Sequence, residues 1–275
     1  MSDEVHIDPS WFVWPGLPDD GPISLVVVGD STAFTDHRGP QLPTEPGLYP
    51  NVAAAHLSSL LDRDVDPTVL ARPGWTVRDA HRATTKDRHV MFDVLANAHG
   101  VVLGIGSFDH APGGIPAPVD AVVPYLRPSA VRRRVRKALT AAYPWAVKAT
   151  GHRFHRTAPT EFVRLYDLLL TQVRGLTRGA PGVSLGPVNH RARYYGDVHP
   201  RRDAAEARQF EVARAHGYAT VGGREHVEAF EDDLNPDGIH WHTKGHEAVG
   251  VAIAEALHPM LTGQAPAPGV PGAPH

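Results

Sequence analysis

The stretch Ile23 to Val28 (ISLVVV), held between Pro22 and the run Gly29-Asp30-Ser31, constrains the fold more than any other segment. A short, β-branched apolar run that ends on glycine reads as a strand buried on both faces, which is the habit of parallel sheets. Weaker versions recur at Val65 to Leu70, Val101 to Ile105, Val183 to Leu185 and Tyr218 to Val221. The segments between them carry helical spacing. The clearest has Phe162, Leu165, Leu169, Val173 and Leu176 at intervals of three and four, after a proline; Asn51 to Leu61 and Gly245 to Leu257 look similar. Strands alternating with helices predict an α/β fold, a parallel sheet covered by helices on both faces.

In open sheets of that kind, ligands bind beyond the carboxyl ends of the strands. The residues that follow each strand are therefore the candidates. They are Gly29-Asp30-Ser31-Thr32, Arg72-Pro73-Gly74-Trp75, Gly106-Ser107-Phe108-Asp109 and Asn189-His190, with Asp237-Gly238-Ile239-His240 after the last strand and a short helix. A serine hydroxyl attacks a carbonyl at neutral pH only when a base takes its proton, and that base is usually an imidazole oriented by a carboxylate. Ser31, on a sharp turn after the first strand, is the candidate nucleophile, with His240 as base and Asp237 as its partner. The backbone N–H groups of Ser31 and Gly74 are candidates for holding the oxyanion.

Each of these residues also has a plainer reading. Ser31 can be a helix N-cap, Asp237 a turn former in Asn235-Pro236-Asp237-Gly238, and Gly74 a tight-turn glycine. His242 and His246 compete with His240, although His246 falls inside the apparent last helix and His242 suits a substrate-facing place.

Composition narrows the function classes. The 275 residues include no cysteine, which removes disulfides, thiolate metal sites and cysteine nucleophiles. A net charge of −3 gives no electrostatic reason to expect a nucleic-acid partner. Met1 to Pro9 lack a signal-peptide profile and no apolar run approaches membrane-spanning length, so the expectation is a cytoplasmic protein without a membrane span. His152 and His155 form an H-x-x-H pair, and Asp233, Asp237, His240 and His242 are close in sequence, yet no metal-site spacing is complete and no metal is expected.

The four blocks, GDS at Gly29–Ser31, Gly74, Gly106-x-x-Asp109 and Asp237-x-x-His240, resemble in order and spacing those of the SGNH (GDSL-like) hydrolases, over roughly Ile23 to Leu261. The resemblance implies a flavodoxin-like three-layer sandwich with a five-stranded sheet in the order 2-1-3-4-5, and acyl-transfer chemistry without a metal. One position departs from the pattern: the third block normally supplies an oxyanion asparagine, and here that residue is Phe108. Asn189 or Ser107 are substitutes to consider. The arrangement GDST…GSFD…DGIHWHTKGH further resembles the actinobacterial diglucosylglycerate octanoyltransferases, a narrower group. That likeness implies octanoyl-CoA as donor, used as a co-substrate rather than a bound cofactor. The acceptor it implies is a glucosyl hydroxyl of diglucosylglycerate, in methylglucose lipopolysaccharide synthesis. The expected substrate contacts are Asp30, Trp75, Gly106, Ser107, Phe108, Asp109, His190, Trp241 and His242.

The expected organisation is an irregular aromatic start (1–22), a catalytic domain (23–262) and a Pro/Gly-rich disordered tail (263–275). Residues 110–159 form a lid-like insertion after the third strand. Its run Arg132-Arg133-Arg134-Val135-Arg136-Lys137 reads either as a solvated helix face or, for Arg132, Arg133 and Arg134, as a grip on coenzyme A phosphates. Val131, Leu139, Tyr143, Trp145 and Val147 suit an acyl-chain pocket and a small lid core equally. Two rivals to acyl transfer stay open: a carbohydrate or lipid esterase of the same fold, and a catalytically weak acyl-sugar-binding protein. Trp11, Phe12 and Trp14 are expected to pack on the body, or else to meet a second copy in a homo-oligomer.

Overall fold

The computed structural model describes residues 13–114, 123–188, 191–227 and 237–264. Trp11, Phe12, Asn189, His190, Asp233 and the tail from 265 lie outside them. In chain order the elements are β1 (Ile23–Gly29), β2 (Thr35–Asp36), β3 (Gly39–Pro40), α1 (Tyr49–Leu61), β4 (Val65–Ala71), α2 (Val77–Lys86), β5 (Gly100–Gly104) and α3 (Ser107–His110). There follow β6 (Pro112–Gly113), α4 (Ser129–Ala149), β7 (Phe154–His155), α5 (Pro159–Leu176), β8 (Gly182–Leu185), α6 (Arg202–Ala215), β9 (Ala219–Val221) and α7 (Thr243–Leu261).

β1 forms the centre of the architecture. It pairs in parallel with β4 on one side and β5 on the other, and the sheet runs β4-β1-β5-β8-β9. Counting only these five strands, the order is the expected 2-1-3-4-5. Because side chains alternate across a strand, Ile23, Leu25 and Val27 enter one apolar cluster with Ala53, Leu57, Val249, Ile253 and Leu257 of α1 and α7. Val26 and Val28 enter the other, with Leu165, Leu169 and Val173 of α5. Two cores, one on each face of the sheet, make the three-layer sandwich.

β5 stops at Gly104, one residue short of the expected Ile105. A Cβ on Gly104 would stand 2.5 Å from Tyr49 Oη, so glycine there leaves room for the buried phenol of α1 beneath the strand end. The last helix also runs further than its apolar spacing suggested, to Leu261. At the other end of the described chain, Trp14 and Leu17 pack on the α1/α7 cluster. No helix among the described residues is long and apolar enough to cross a membrane.

The insertion leaves the body at β6 and returns at β7. These pair antiparallel, Pro112 with His155 and Gly113 with Phe154, and so close it at its base. Of the described side chains along α4, only that of Val147 is buried. Trp145 is 74% exposed and Val131 42%, while Tyr143 stacks on Tyr194 with ring centroids 4.4 Å apart. Trp145 and Val131 thus line neither a closed acyl pocket nor a lid core.

Candidate active site

β1 ends on Gly29, and the chain turns at once into a 3-10 turn, Ser31–Ala33. Asp30 caps that turn. Its Oδ1 accepts from the Thr32 N–H (2.9 Å) and the Thr32 hydroxyl (2.8 Å), and the residue is 2% exposed. Burial raises its pKa, against the Thr32 bonds and the nearby His240. Asp30 therefore builds the turn and does not face a substrate, a correction to the expected contact set.

From the other end of the chain, the segment before α7 brings Asp237 and His240 to the same place. Asp237 Oδ1 accepts from the backbone N–H groups of Ile239 (2.8 Å) and His240 (3.1 Å), which folds the segment into a turn. Its Oδ2 lies 2.6 Å from His240 Nδ1, and His240 Nε2 lies 2.9 Å from Ser31 Oγ. An ionised carboxylate only accepts, so Nδ1 carries the proton and Nε2 is left to accept from the Ser31 hydroxyl. Burial pushes the Asp237 pKa up, but the His240 ring and the two backbone N–H groups outweigh it and bring the value to about 2. The carboxylate is thus ionised throughout the neutral range. Its stabilisation is fully present above the ordinary value of 3.8 and is lost as pH falls through about 2.

Gly74 has a left-handed φ of +67°, and a Cβ there would stand 3.4 Å from the Phe108 ring. Phe108 thus fills the third-block position with an apolar ring laid against the Gly74 loop. Its own backbone N–H is bonded to Asp30. On its exposed side, the Arg156 guanidinium lies 5.0 Å from the ring centroid. Trp75 carries Arg72 in the same manner at 5.7 Å.

Asp109 is a second correction. It is fully buried (0% exposed) and its carboxylate faces inward: Oδ2 accepts from the Val77 N–H at 2.8 Å and Oδ1 from the Thr157 hydroxyl at 2.5 Å. It ties together the start of α2, the loop after β5 and the return of the insertion, which fixes Gly74, Phe108 and Arg156 relative to one another. Desolvation raises its pKa to about 7, against those bonds. Gly106 also faces inward, since a Cβ there would meet Gln209 Oε1 at 2.6 Å. Ser107 spends its hydroxyl on the Val188 N–H at 3.1 Å.

Trp241 is a third correction. It is 1% exposed and packs edge-on against Tyr49 (5.9 Å) and His246 (5.7 Å), inside the α1/α7 core. Trp241→Ala should cost about 3–5 kcal/mol of stability, as truncating a buried aromatic does, and lower Tm by about 6–10 °C. Thermal unfolding followed by circular dichroism measures this; an unchanged Tm with a raised KM would restore the substrate-contact reading.

His246, as expected, is in the helix and away from the nucleophile. Its Nε2–H donates to the Thr35 carbonyl (3.0 Å), while its Nδ1 accepts from the Tyr49 N–H (3.2 Å). Burial lowers its pKa to about 4, so it stays neutral and pins β2 to α1. The loop after the serine, missed in the sequence, forms the wall of a cavity of about 500 Å³ beside it. His37, Arg38 and Pro40 line this cavity together with Ser31, Asp237 and His240. Asp36 holds the loop by accepting from the Arg38 guanidinium at 2.6 and 3.0 Å, and His242 stacks on His37 at 4.2 Å. No periodicity or motif marks this D-x-R loop. Among the described residues, no three His, Cys, Asp or Glu side chains are grouped as a metal would need.

No family model matches the chain. Two curated proteins do match. The diglucosylglycerate octanoyltransferase of Mycolicibacterium hassiacum is 31% identical over 244 residues, which are 85% of this chain and 94% of that protein. Its namesake in Mycobacterium tuberculosis is 30% identical over 85% of this chain and 92% of that one. The chain belongs to the diglucosylglycerate octanoyltransferase family. Among solved structures, a lipase/acylhydrolase from Enterococcus faecalis superposes with a TM-score of 0.57 at 14% identity, covering 86% of this chain and 96% of that one. A GDSL-like lipase from Parabacteroides merdae gives 0.57 at 13%, covering 88% and 99%. This octanoyltransferase-family chain therefore has the SGNH-type α/β fold, and its family is one of acyltransferases.

Proposed function

We propose that the chain transfers a medium-chain acyl group, octanoyl from octanoyl-CoA, through Ser31 to a sugar hydroxyl of diglucosylglycerate. The observation that carries this reading is the hydrogen-bonded chain from Ser31 Oγ to His240 (2.9 Å) and on to Asp237 (2.6 Å), within the reach general base catalysis needs. His240 takes the Ser31 proton as the oxygen attacks the thioester carbonyl. The Ser31 N–H, free of an intrahelical acceptor as the first of its turn, and the Gly74 N–H hold the oxyanion. The coenzyme A thiolate leaves with the proton from His240. The acceptor hydroxyl then gives its proton to His240, attacks the acyl-serine, and returns Ser31 to its starting state. Asp237 keeps the imidazole in the working tautomer and stabilises it when charged.

The place of this reaction, on the same reading, is the cytoplasm, in methylglucose lipopolysaccharide synthesis. Arg132, Arg133 and Arg134 on α4 are the first candidates to meet the donor's phosphates. The missing asparagine removes a donor that elsewhere contributes about 2.7–4 kcal/mol to the transition state, so slower chemistry than in a full SGNH site is part of this reading.

Product analysis tests it. Incubation with octanoyl-CoA and diglucosylglycerate should yield the octanoyl ester and free coenzyme A. Free octanoate alone, with or without the sugar, would make the protein an esterase. No product and no labelling of Ser31 by a fluorophosphonate would leave a binding protein.

A further inference from the structure

A second cavity, of about 300 Å³, lies at the end of α3, where His110 follows two residues after Phe108. It is lined by His110, His155, Pro159, Arg201, Ala204, Ala205 and Arg208, a set with two arginines, two histidines and no carboxylate. The spacing along α6 explains its shape. Positions 201, 204, 205 and 208 share one helix face, so two alanines form a floor between two arginines. Neither Arg201 nor Arg208 forms an ion pair with a described residue. The adjacent acids, Asp203 and Glu206, are held by Arg202 at 3.0 and 2.5 Å. Both α5 and α6 begin at the cavity, with Pro159 and Arg201 in its wall, so two positive helix ends add to the field.

His110 points to a ligand independently of the helix ends. It is 3% exposed, packs on Phe162 at 4.1 Å, and its Nε2 has no hydrogen-bond partner among the described residues. A buried polar nitrogen left unpaired is costly, and an acceptor in the cavity would satisfy it. His155 donates from Nδ1 to the His110 carbonyl at 3.1 Å, so its Nε2 edge is the one left over.

We propose that this cavity is a phosphate-binding site, in which Arg201 and Arg208 clasp the phosphate oxygens and His110 donates from Nε2. Guanidinium forks suit such oxygens, and α3 carries both His110 and Phe108, which lies against Gly74 and donates its backbone N–H to Asp30. The phosphate comes either from the acyl donor, where the inference rests on the function proposed above, or from a separate phosphate ligand, where it does not.

Isothermal titration of the full chain with inorganic phosphate, coenzyme A and 3′-dephospho-coenzyme A tests the site. The wild type should bind phosphate saturably, and an Arg201→Ala/Arg208→Ala variant should bind it at least about tenfold more weakly, the usual effect of losing charged hydrogen bonds. Both side chains are exposed, and an unchanged Tm checks the fold of the variant; Arg208→Lys should keep part of the affinity. If coenzyme A binds the wild type about tenfold tighter than its 3′-dephospho form, and the variant closes that gap, the donor is the source. If the variant binds coenzyme A and its 3′-dephospho form as tightly as the wild type does, while inorganic phosphate binding is weakened, a separate phosphate is the ligand; if it binds both forms equally more weakly, the donor's diphosphate is the source. Phosphate binding unchanged in the variant, or lost instead in Arg132→Ala/Arg133→Ala/Arg134→Ala, overturns the proposal, as does a wild type that binds none of the three. Fluorophosphonate labelling of Ser31 reports separately on the serine site.

Discussion

On the mechanism proposed above, Ser31→Ala should abolish acyl transfer, with a fall in kcat on the order of 10⁴–10⁶-fold, the range seen when a serine nucleophile is removed. Tm should move little, because the turn is capped by Asp30 and not by Ser31. That contrast decides between the two readings of the residue. A serine that only capped a helix would cost about 1 kcal/mol of stability on replacement and leave turnover in place. Steady-state transfer rates and thermal melts of the same preparation give the answer. A variant that keeps a tenth of the wild-type rate would sink the covalent mechanism.

Asp237→Asn should lower kcat by about 10⁴-fold with its geometry intact. The cause is the tautomer. An amide nitrogen facing His240 Nδ1 donates where the carboxylate accepted, which drives the imidazole proton to Nε2 and leaves no acceptor for the Ser31 hydroxyl. The 2.6 Å contact and the two backbone bonds to Oδ1 make Asp237 the residue through which that proton is placed. With a pKa of about 2, Asp237 adds no limb to the pH–rate profile above about pH 4. A profile of kcat/KM between pH 4 and 9, with Asp237→Asn alongside, measures both points; a variant within tenfold of wild type would remove Asp237 from the mechanism.

The scaffold and the two ends of the hydrogen-bonded Ser31–His240–Asp237 chain were legible because each leaves a mark in the sequence. ISLVVV is a buried strand by composition alone, and the side-chain alternation of that strand divides the two cores. Asp237 and His240 were picked out because their spacing matches the block of the resembling family, although no local signal says that His240 meets a serine 209 residues earlier. Inward and outward faces were not legible. Trp241 and Asp109 stand in the right blocks but point into the body, since the turn of one residue decides which side chain faces the cavity. The Asp36–Arg38 loop and Arg156 escaped notice because their positions depend on contacts between distant segments. The pairing of β6 with β7, only two residues long, leaves no periodicity to read.

That short pairing has a consequence for how such a chain can diverge. Because residues 113 and 154 are neighbours in space, the chain between them leaves and rejoins the sheet-bearing body at one place. Its length and composition can change while β1, β4, β5, β8 and β9 keep their register, so the segment can be remodelled without disturbing the turn that carries Ser31.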